Sequence, residues 1–476
     1  MVYRLQRLIH SLRNLSRPVH KLPLELFSQI IQRVPHENDT DTRSIVPLTH
    51  VCRRWREGII STPQCWTLIS SRSKGLAILS LQRTKGVPLQ VSLDMDYIKE
   101  TPWLSKAIAP YIQNIQTVHF SGICAVRDLG NAIPGFPQST PHLRLLTLNK
   151  PWTRRSAEST IDLFESLAPV LECLKLAHIP LYPSFLRLRA LRVFSLLSKS
   201  LNIHLDTLLD FLEENHSLER ATLDIRFAKD SLCRSERGAP IINRLRCLSI
   251  GDPAAEAARA LIPRIGLQRG AHLEILHNLD TWLCDVFPSI PTTQLSNLSL
   301  LTSMECRISS TTSIQLFGPS GSLSGESEYR PGRTFAVLSV LRDHLVNVRE
   351  FRLIHETSWG HLPPQFDPTF FPALETFAVY REIMLSMLLS TMFSCPFSPP
   401  RLKTLAFSNC NLSGGFMEEL AQYASNRKET GSAWLHRVVI VDSRAHLPSA
   451  VSIDALEKHV PIVDVCVGKA LPRDLT

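Results

Sequence analysis

The chain has 476 residues, of which 44% are hydrophobic and 20% are charged, so its composition excludes a disordered or fibrous protein and indicates a folded one. The formal net charge is +9, and most of it lies in residues 1–74, where 12 Lys and Arg residues face 5 Asp and Glu residues. The rest of the chain is nearly balanced, so charge alone gives no reason to expect nucleic acid or an anionic membrane along most of its length.

The eleven cysteines are scattered singly, without a C-x-x-C pair or a zinc-ligand spacing. We therefore expect reduced thiols, no metal or other cofactor, and a location in the cytoplasm, the nucleus or both. The longest weakly polar stretch, IMLSMLLSTMF at 383–393, is shorter than the ~20 residues that cross a bilayer. No membrane span is predicted.

Residues 1–19 predict a basic helix that is rich in arginine and contains no acidic residue. Its apolar face consists of Leu5, Leu8, Ile9, Leu12 and Leu15. This composition is also typical of a mitochondrial targeting segment, so two interpretations stay open. We favour a helix that packs against the next unit.

Residues 20–70 predict a compact unit of three short helices. The first covers about 23–33 with Pro23 at its start, where a missing N–H costs nothing, and Pro35 ends it. The next apolar series has helical spacing and stops at Pro63; it consists of Leu48, Val51, Cys52, Trp55 and Ile59. So small a bundle buries too little surface to be firmly stable alone, and we expect a partner or a neighbouring domain.

Three segments of this unit, LPLE at 22–25, VCRRWR at 51–56 and TPQCW at 62–66, resemble the F-box in their order and spacing. The resemblance implies docking on the Skp-type adaptor of a cullin-based ubiquitin ligase. It places the adaptor-binding surface, or its support, at Leu22, Pro23, Glu25, Ile30, Val51, Cys52 and Trp55. The alternative is that these residues only pack a small helical domain.

A third interpretation of the same unit is nucleic-acid binding through Arg53, Arg54 and Arg56. No aromatic side chains suited to base stacking are interleaved with these arginines. A solvated helix face is therefore the favoured interpretation, and we do not expect nucleic acid as a partner.

A linking helix (GLAILSLQRTKG) and a strand (VPLQVSL) are predicted within residues 71–114. From 115 to 476 the pattern apolar-x-x-apolar-x-apolar recurs, with starts at 115, 143, 171, 191, 218, 245, 273, 295, 348, 374, 402 and 435. Most intervals match the ~20–29-residue period of leucine-rich repeats. The expected fold class is therefore α/β: a small three-helix F-box followed by a leucine-rich-repeat-like solenoid.

The longest interval, at 301–347, predicts an insertion or one degenerate repeat that projects from the repeat array. Its sequence FGPSGSLSGESEYRPGR is typical of an exposed loop, and CRISSTTSIQLFG before it could form a hairpin.

Strand alternation predicts which repeat side chains point away from the core. Those at the centre of each pattern are polar: His119, Thr147, Lys175, Ser195, Thr222, Ser249, His277, Ser299 and Arg352. We expect the charged members and their neighbours to contact a partner protein through Lys175, Arg220, Asp224, Glu350 and Arg352.

No phosphate-binding loop, zinc-protease helix or serine-nucleophile elbow occurs in the sequence, so we expect a chain that is not itself catalytic. An F-box followed by repeats resembles the substrate receptors of SCF-type (Skp–cullin–F-box) ubiquitin ligases, especially the divergent F-box proteins of fungi. The resemblance implies an adaptor, a cullin bound through it, and a protein target. The alternative is an interaction scaffold that is not coupled to ubiquitin transfer.

Overall fold

The computed structural model describes residues 17–23, 45–94, 102–122, 140–149, 170–181, 188–227, 244–251, 267–276, 300–328, 341–356, 366–381, 385–394, 399–410, 414–429, 434–442 and 448–467, with the single residues 3, 5, 6, 25, 26, 29, 30, 261, 262, 265, 298 and 412. Within this part, the chain is a mixed α/β protein whose strands are mostly parallel. It divides into two compact units: the first contains residues 1–203 and 207–218, and the second contains 204–206 and 219–476.

The first unit begins with short helices and continues as a parallel sheet. Its helices are α1 (Pro18–Lys21), α2 (Ile45–Thr49), α3 (Arg53–Ser61), α4 (Lys74–Arg83), α5 (Pro102–Ile108) and α6 (Leu205–Glu214), the last of which starts in the second unit's residues. Its strands are β1 (Leu68–Ser70), β2 (Leu89–Asp94), β3 (Ile115–Ser121), β4 (Leu145–Asn149), β5 (Cys173–Ala177) and β6 (Val193–Ile203). Each strand pairs in parallel with the next along the chain.

In its described residues, the second unit contains eleven strands. They are β7 (Arg220–Phe227), β8 (Cys247–Ile250), β9 (Ala271–Ile275), β10 (Ser303–Ile308), β11 (Thr311–Gly318), β12 (Gly321–Glu328), β13 (Glu350–His355), β14 (Thr376–Tyr380), β15 (Thr404–Ser408), β16 (Arg437–Asp442) and β17 (Ile462–Val467). Helices α7 (Arg342–Leu345), α8 (Leu385–Ser394), α9 (Gly414–Glu429) and α10 (Ala450–Glu457) connect some of them. The spatial order is β7–β8–β9–β12–β11–β10–β13–β14–β15–β16–β17.

Alternation along the strands places the core on one face, because successive side chains point to opposite sides of the sheet. In the second unit the row Phe351, Phe377, Leu405 and Val438 is fully buried and in register across β13 to β16. Phe351 also stacks on Phe371, with ring centroids 5.0 Å apart. Ten of the twelve repeat patterns coincide with strands as predicted, as does the strand at 89–94.

The structure corrects the prediction for 301–347, where strands β10, β11 and β12 form an antiparallel meander inside the sheet. The expected hairpin exists, since Ile308 pairs with Thr312 across β10 and β11. Residues 317–328 of the glycine-rich stretch are not a projecting loop, because β12 pairs with both β11 and β9, and residues 329–333 lie outside the described part. Backbone pairing on both sides holds a strand that its Gly and Ser content does not predict.

One further repeat pattern is also corrected. The pattern at 273 is displaced: the strand runs from Ala271 to Ile275, and Leu276 follows it half-buried. Most of the pattern at 295 lies outside the described residues, and of its two described residues Leu298 is buried in a 3-10 turn and Leu300 is exposed.

Candidate protein-binding surfaces

The N-terminal helices share a small apolar core with the helix that follows them. Ile45 of α2, Ile59 of α3 and the side chains of Cys65 and Trp66 form a buried cluster, and Leu76 of α4 packs against it. The Trp66 indole Nε1 donates a hydrogen bond to the Ile59 carbonyl oxygen at 2.8 Å. Local sequence favours this arrangement because Pro63 ends α3 and starts the 3-10 turn that brings Trp66 inward.

A cation also fixes this core to α4. The Arg83 guanidinium lies over the Trp66 ring, 4.3 Å from its centroid. The helices therefore do not stand alone, in line with the expectation that so small a unit needs a neighbour.

The seven residues that the F-box resemblance selects fall into two groups. Pro23, Glu25, Ile30 and Val51 are exposed, and Ile30 and Val51 keep 45% and 55% of their surface in contact with solvent. The half-buried group is Leu22, Cys52 and Trp55. Trp55 packs against the small core, so its role includes support of the fold.

Part of the first predicted helix lies outside the described residues. Within it, Glu25, Leu26, Gln29 and Ile30 are helical, as expected. Tyr3, Leu5 and Gln6 of the predicted basic helix are also helical, whereas Leu8, Ile9, Leu12 and Leu15 lie outside the described part. Leu5 is exposed.

The same region exposes apolar residues that the sequence pattern did not select. Leu26, Val46 and Ile60 each retain more than a third of their surface in solvent. They do not have the helical spacing that predicts a core position. An apolar residue outside that spacing was therefore the sequence feature that could have predicted these exposed residues. Together with Ile30 and Val51 they give this unit several solvent-facing apolar side chains.

Each of the three arginines considered for nucleic-acid binding contacts another group of the fold. The Arg54 guanidinium donates a hydrogen bond to the Leu22 carbonyl oxygen, and the Arg56 Nε donates to the Thr49 carbonyl oxygen at 3.1 Å. Arg53 pairs with Glu57 one turn later, at 2.7 Å. These contacts favour the helix-surface interpretation of the cluster.

In the first unit, four predicted polar positions form one continuous row with two serines that were not predicted. His119, Thr147, Lys175 and Ser195 are in register with Ser92 and Ser70 across β1 to β6. Lys175 is exposed. The Gln90 Nε2 lies 3.1 Å from the His119 Nε2, and burial, followed by the positive charge of Lys175, lowers the pKa of His119.

A second polar row crosses part of the second unit. Its members in register are Thr222, Ser249, Glu274, Ser324, Gln315, Glu305 and Arg352. Glu274 takes the place expected for His277, because the strand starts earlier than predicted; His277 and Ser299 lie outside the described residues. The Ser249 hydroxyl donates to the Glu274 Oε2 at 2.5 Å.

The predicted partner contacts of the second unit lie on this same face. Arg220 is exposed on β7, and Asp224, four residues later, is half-buried with its carboxyl group against the backbone of Gly251. Glu350 and Arg352 of β13 form an ion pair of 2.6 Å. The structure thus keeps Arg220, Asp224, Glu350 and Arg352 on one side of the sheet but pairs two of them with each other.

In strands β14 to β16, which follow β13, the row is occupied by apolar residues. Its next members, Ala378, Ala406 and Val439, are apolar and buried, and Tyr380 packs against them. Burial raises the pKa of the Tyr380 phenol; nearby Glu305 and Glu350 also raise it, and Arg352 opposes them. The polar row of the second unit is therefore interrupted beyond β13, a break that the sequence analysis did not identify, and it resumes on β17 with Asp464, which forms an ion pair with Arg437 of β16 at 2.7 Å.

No protein-family model matches this chain, and no curated protein matches it. Among the described residues, no three His, Cys, Asp or Glu side chains are grouped so that they could hold a metal ion. No helix in the described part is long and apolar enough to cross a membrane. The site chemistry available on these surfaces is hydrogen bonding, ion pairing and apolar contact.

Proposed function

We propose that this chain is the substrate-recognition subunit of an SCF-type E3 ubiquitin ligase. In this proposal the N-terminal F-box binds a Skp-type adaptor, and a leucine-rich-repeat-like solenoid binds a target protein. The observation that carries the proposal is the exposure of Ile30 and Val51, two apolar residues selected by the F-box pattern. Apolar side chains that a small core leaves in solvent are suited to burial in an interface.

The chain's role in catalysis would be positional. The adaptor would fix one end of the chain within the ligase, and the polar sheet faces would hold the target. Holding both together raises the effective concentration of target lysines near the ubiquitin-loaded enzyme. The groups that form and break bonds would belong to other subunits, and the target contacts would include Lys175, Arg220, Asp224, Glu350 and Arg352.

The alternative is an interaction scaffold that binds an adaptor without promoting ubiquitin transfer. Co-purification separates the two functions, because a ligase receptor recovers adaptor and cullin together. Recovery of the adaptor without cullin would favour the scaffold.

The adaptor interface is tested with the double variant Ile30→Glu with Val51→Glu in the full chain. Two central anchors at ~2 kcal/mol each amount to nearly a thousandfold in affinity, so adaptor co-purification should be lost. The variant Leu22→Ala with Pro23→Ala should behave alike, and it retains the bond from Arg54, which uses the Leu22 backbone oxygen.

The matched control is Met387→Glu, which places the same charge at an exposed apolar residue of α8 in the second unit. It should retain the adaptor. Circular dichroism and the main melting transition should stay as in the parent for every variant, since the replaced side chains are exposed or half-buried. Full adaptor recovery with both double variants would refute the F-box assignment.

A further inference from the structure

Part of the polar face in the second unit carries an excess of negative charge. Among the described side chains of the adjacent strands β9, β12, β11, β10 and β13, four carboxylates share this face with two guanidiniums: Glu274, Glu305, Glu326 and Glu350 against Arg307 and Arg352. The whole chain, by contrast, has a formal charge of +9. The charge of this region is therefore negative, whereas the net charge of the whole chain is positive.

The two guanidiniums are already engaged within the face. Arg352 pairs with Glu350 at 2.6 Å, and Arg307 lies 3.4 Å from Glu305 and 3.7 Å from Glu356. In the described part of the chain, Glu274 and Glu326 have no ion-pair partner within 4.0 Å. Negative charge is thus left over for a partner.

An exposed aromatic residue lies among these carboxylates. Phe317 of β11 keeps 44% of its surface in solvent, on the face opposite the core residue Leu316. Its neighbours in register are the small residues Ser303 and Ser322, which leave the ring accessible. Diagonal neighbours on paired strands are ~7–8 Å apart, which places Glu305 within reach of a group resting on the ring.

The backbone that presents Phe317 is fixed on several sides. Strand β11 pairs with β10 on one side and β12 on the other. The Phe317 carbonyl oxygen accepts a hydrogen bond from the Thr302 N–H at 2.8 Å. Gly318 comes so close to the backbone of Leu300 that a Cβ would lie 2.0 Å from its carbonyl oxygen. The ring is therefore held on a rigid strand, as an interface anchor requires.

We infer that this acidic face, defined by Glu274, Glu305, Phe317, Glu326 and Glu350, binds a basic segment of a partner protein. The side chain of an arginine or lysine of this segment lies across the Phe317 ring, with its apolar stem in contact with the ring. Its charged head group also contacts the ring and pairs with Glu305 and Glu350. Further basic residues of the segment pair with Glu274 and Glu326. The inference rests on the proposed function, because it names the class of target that the receptor holds.

The spacing of the carboxylates favours a peptide over a metal ion. Glu274 and Glu305 are separated by β12 and β11, hence by ~14 Å at ~4.8 Å per strand, whereas metal-bound oxygens lie ~2.3–2.6 Å from a shared cation. Nucleic acid would be repelled by the same charges. An extended peptide of about eight residues spans roughly 26 Å and covers the five strands, which are ~19 Å wide.

The test measures fluorescence anisotropy of labelled peptides with the full chain. The probes are an arginine–glycine repeat of about eight residues, chosen to span the five strands, and serine–glycine and glutamate–glycine repeats of equal length. The parent should bind the arginine peptide alone, with affinity that falls as salt rises. Equal binding of the arginine and serine peptides would overturn the inference.

Variants assign the binding to the acidic face. Phe317→Ala should weaken binding about threefold to fivefold, as expected for loss of an exposed cation–π contact. Glu305→Gln with Glu326→Gln should weaken it about fivefold to twentyfold, since each removes one charge and keeps its shape. The control Glu418→Gln, an exposed glutamate of α9, should bind like the parent. Parent-like binding by all the face variants would overturn the assignment.

Two measurements keep the outcomes distinct. Phe317→Leu retains apolar bulk without the ring, so it still reports on the ring if Phe317→Ala fails to fold. Adaptor co-purification is measured on the same samples: peptide binding without adaptor would refute the proposed function and leave this inference standing. Adaptor recovery without peptide binding would refute this inference alone.

Discussion

The position of strand β9 decides which side chains reach the acidic face, and a pair of substitutions tests it. Leu273 is 0% exposed and lies between Leu248 of β8 and Leu323 of β12, both also buried. Leu276, three residues later, is only half-buried beyond the strand end. The structure therefore assigns the core position to Leu273, whereas the repeat pattern assigns core positions to both leucines.

Leu273→Ala removes a fully buried side chain from a packed row, so it should cost about 3 to 5 kcal/mol of unfolding free energy. With a urea m-value of about 3 kcal/mol/M, the midpoint should fall by roughly 1 M or more. Leu276→Ala should cost about 1 kcal/mol, as at a partly exposed position. The control Thr222→Ala, on the polar face, should change stability by less than ~0.5 kcal/mol.

Urea unfolding followed by circular dichroism measures all three variants against the parent. Equal losses for Leu273→Ala and Leu276→Ala would refute the register of β9. That result would also remove Glu274 from the acidic face, because its orientation depends on the same alternation.

Two further predictions concern the core. Gly318→Ala should lower the free energy of unfolding by at least about 2 kcal/mol, because its Cβ would meet backbone atoms of Leu300 and Leu301 that cannot rotate away. The control Gly415→Ala has open space around its Cβ and should change stability by less than ~1 kcal/mol in the same urea experiment. Equal effects of the two variants would contradict the close approach of Gly318 to Leu300. Burial raises the pKa of the Cys65 thiol to about 11 and that of Cys306 to about 12, so both should resist iodoacetamide at pH ~8 until urea unfolds the chain. The same thiols ionise at lower pH in the unfolded chain than in the folded one, so the free energy of unfolding should fall as pH rises above about 9. Mass spectrometry that shows both thiols alkylated in the folded chain would contradict their burial.

The sequence by itself determined the α/β class and the position of most strands. Apolar residues repeat with the period of a strand at nearly regular intervals, and alternation then assigns one face to the core, as with Leu146 and Leu174. The same alternation predicted the exposed polar position of Lys175. These features depend on local pattern, and local pattern is present in the chain itself.

The tertiary structure alone decided the third strand of the meander and the burial of the row beyond β13. Strand β12 contains one buried apolar residue, Leu323, among Gly and Ser, so only its pairing with β9 and β11 makes it a strand. The pairing of β12 beside β9 also placed Phe317 among carboxylates that are distant in sequence. Ala378 and Val439 occupy the same row as Arg352 yet are buried, because burial depends on what surrounds a strand and not on its alternation alone.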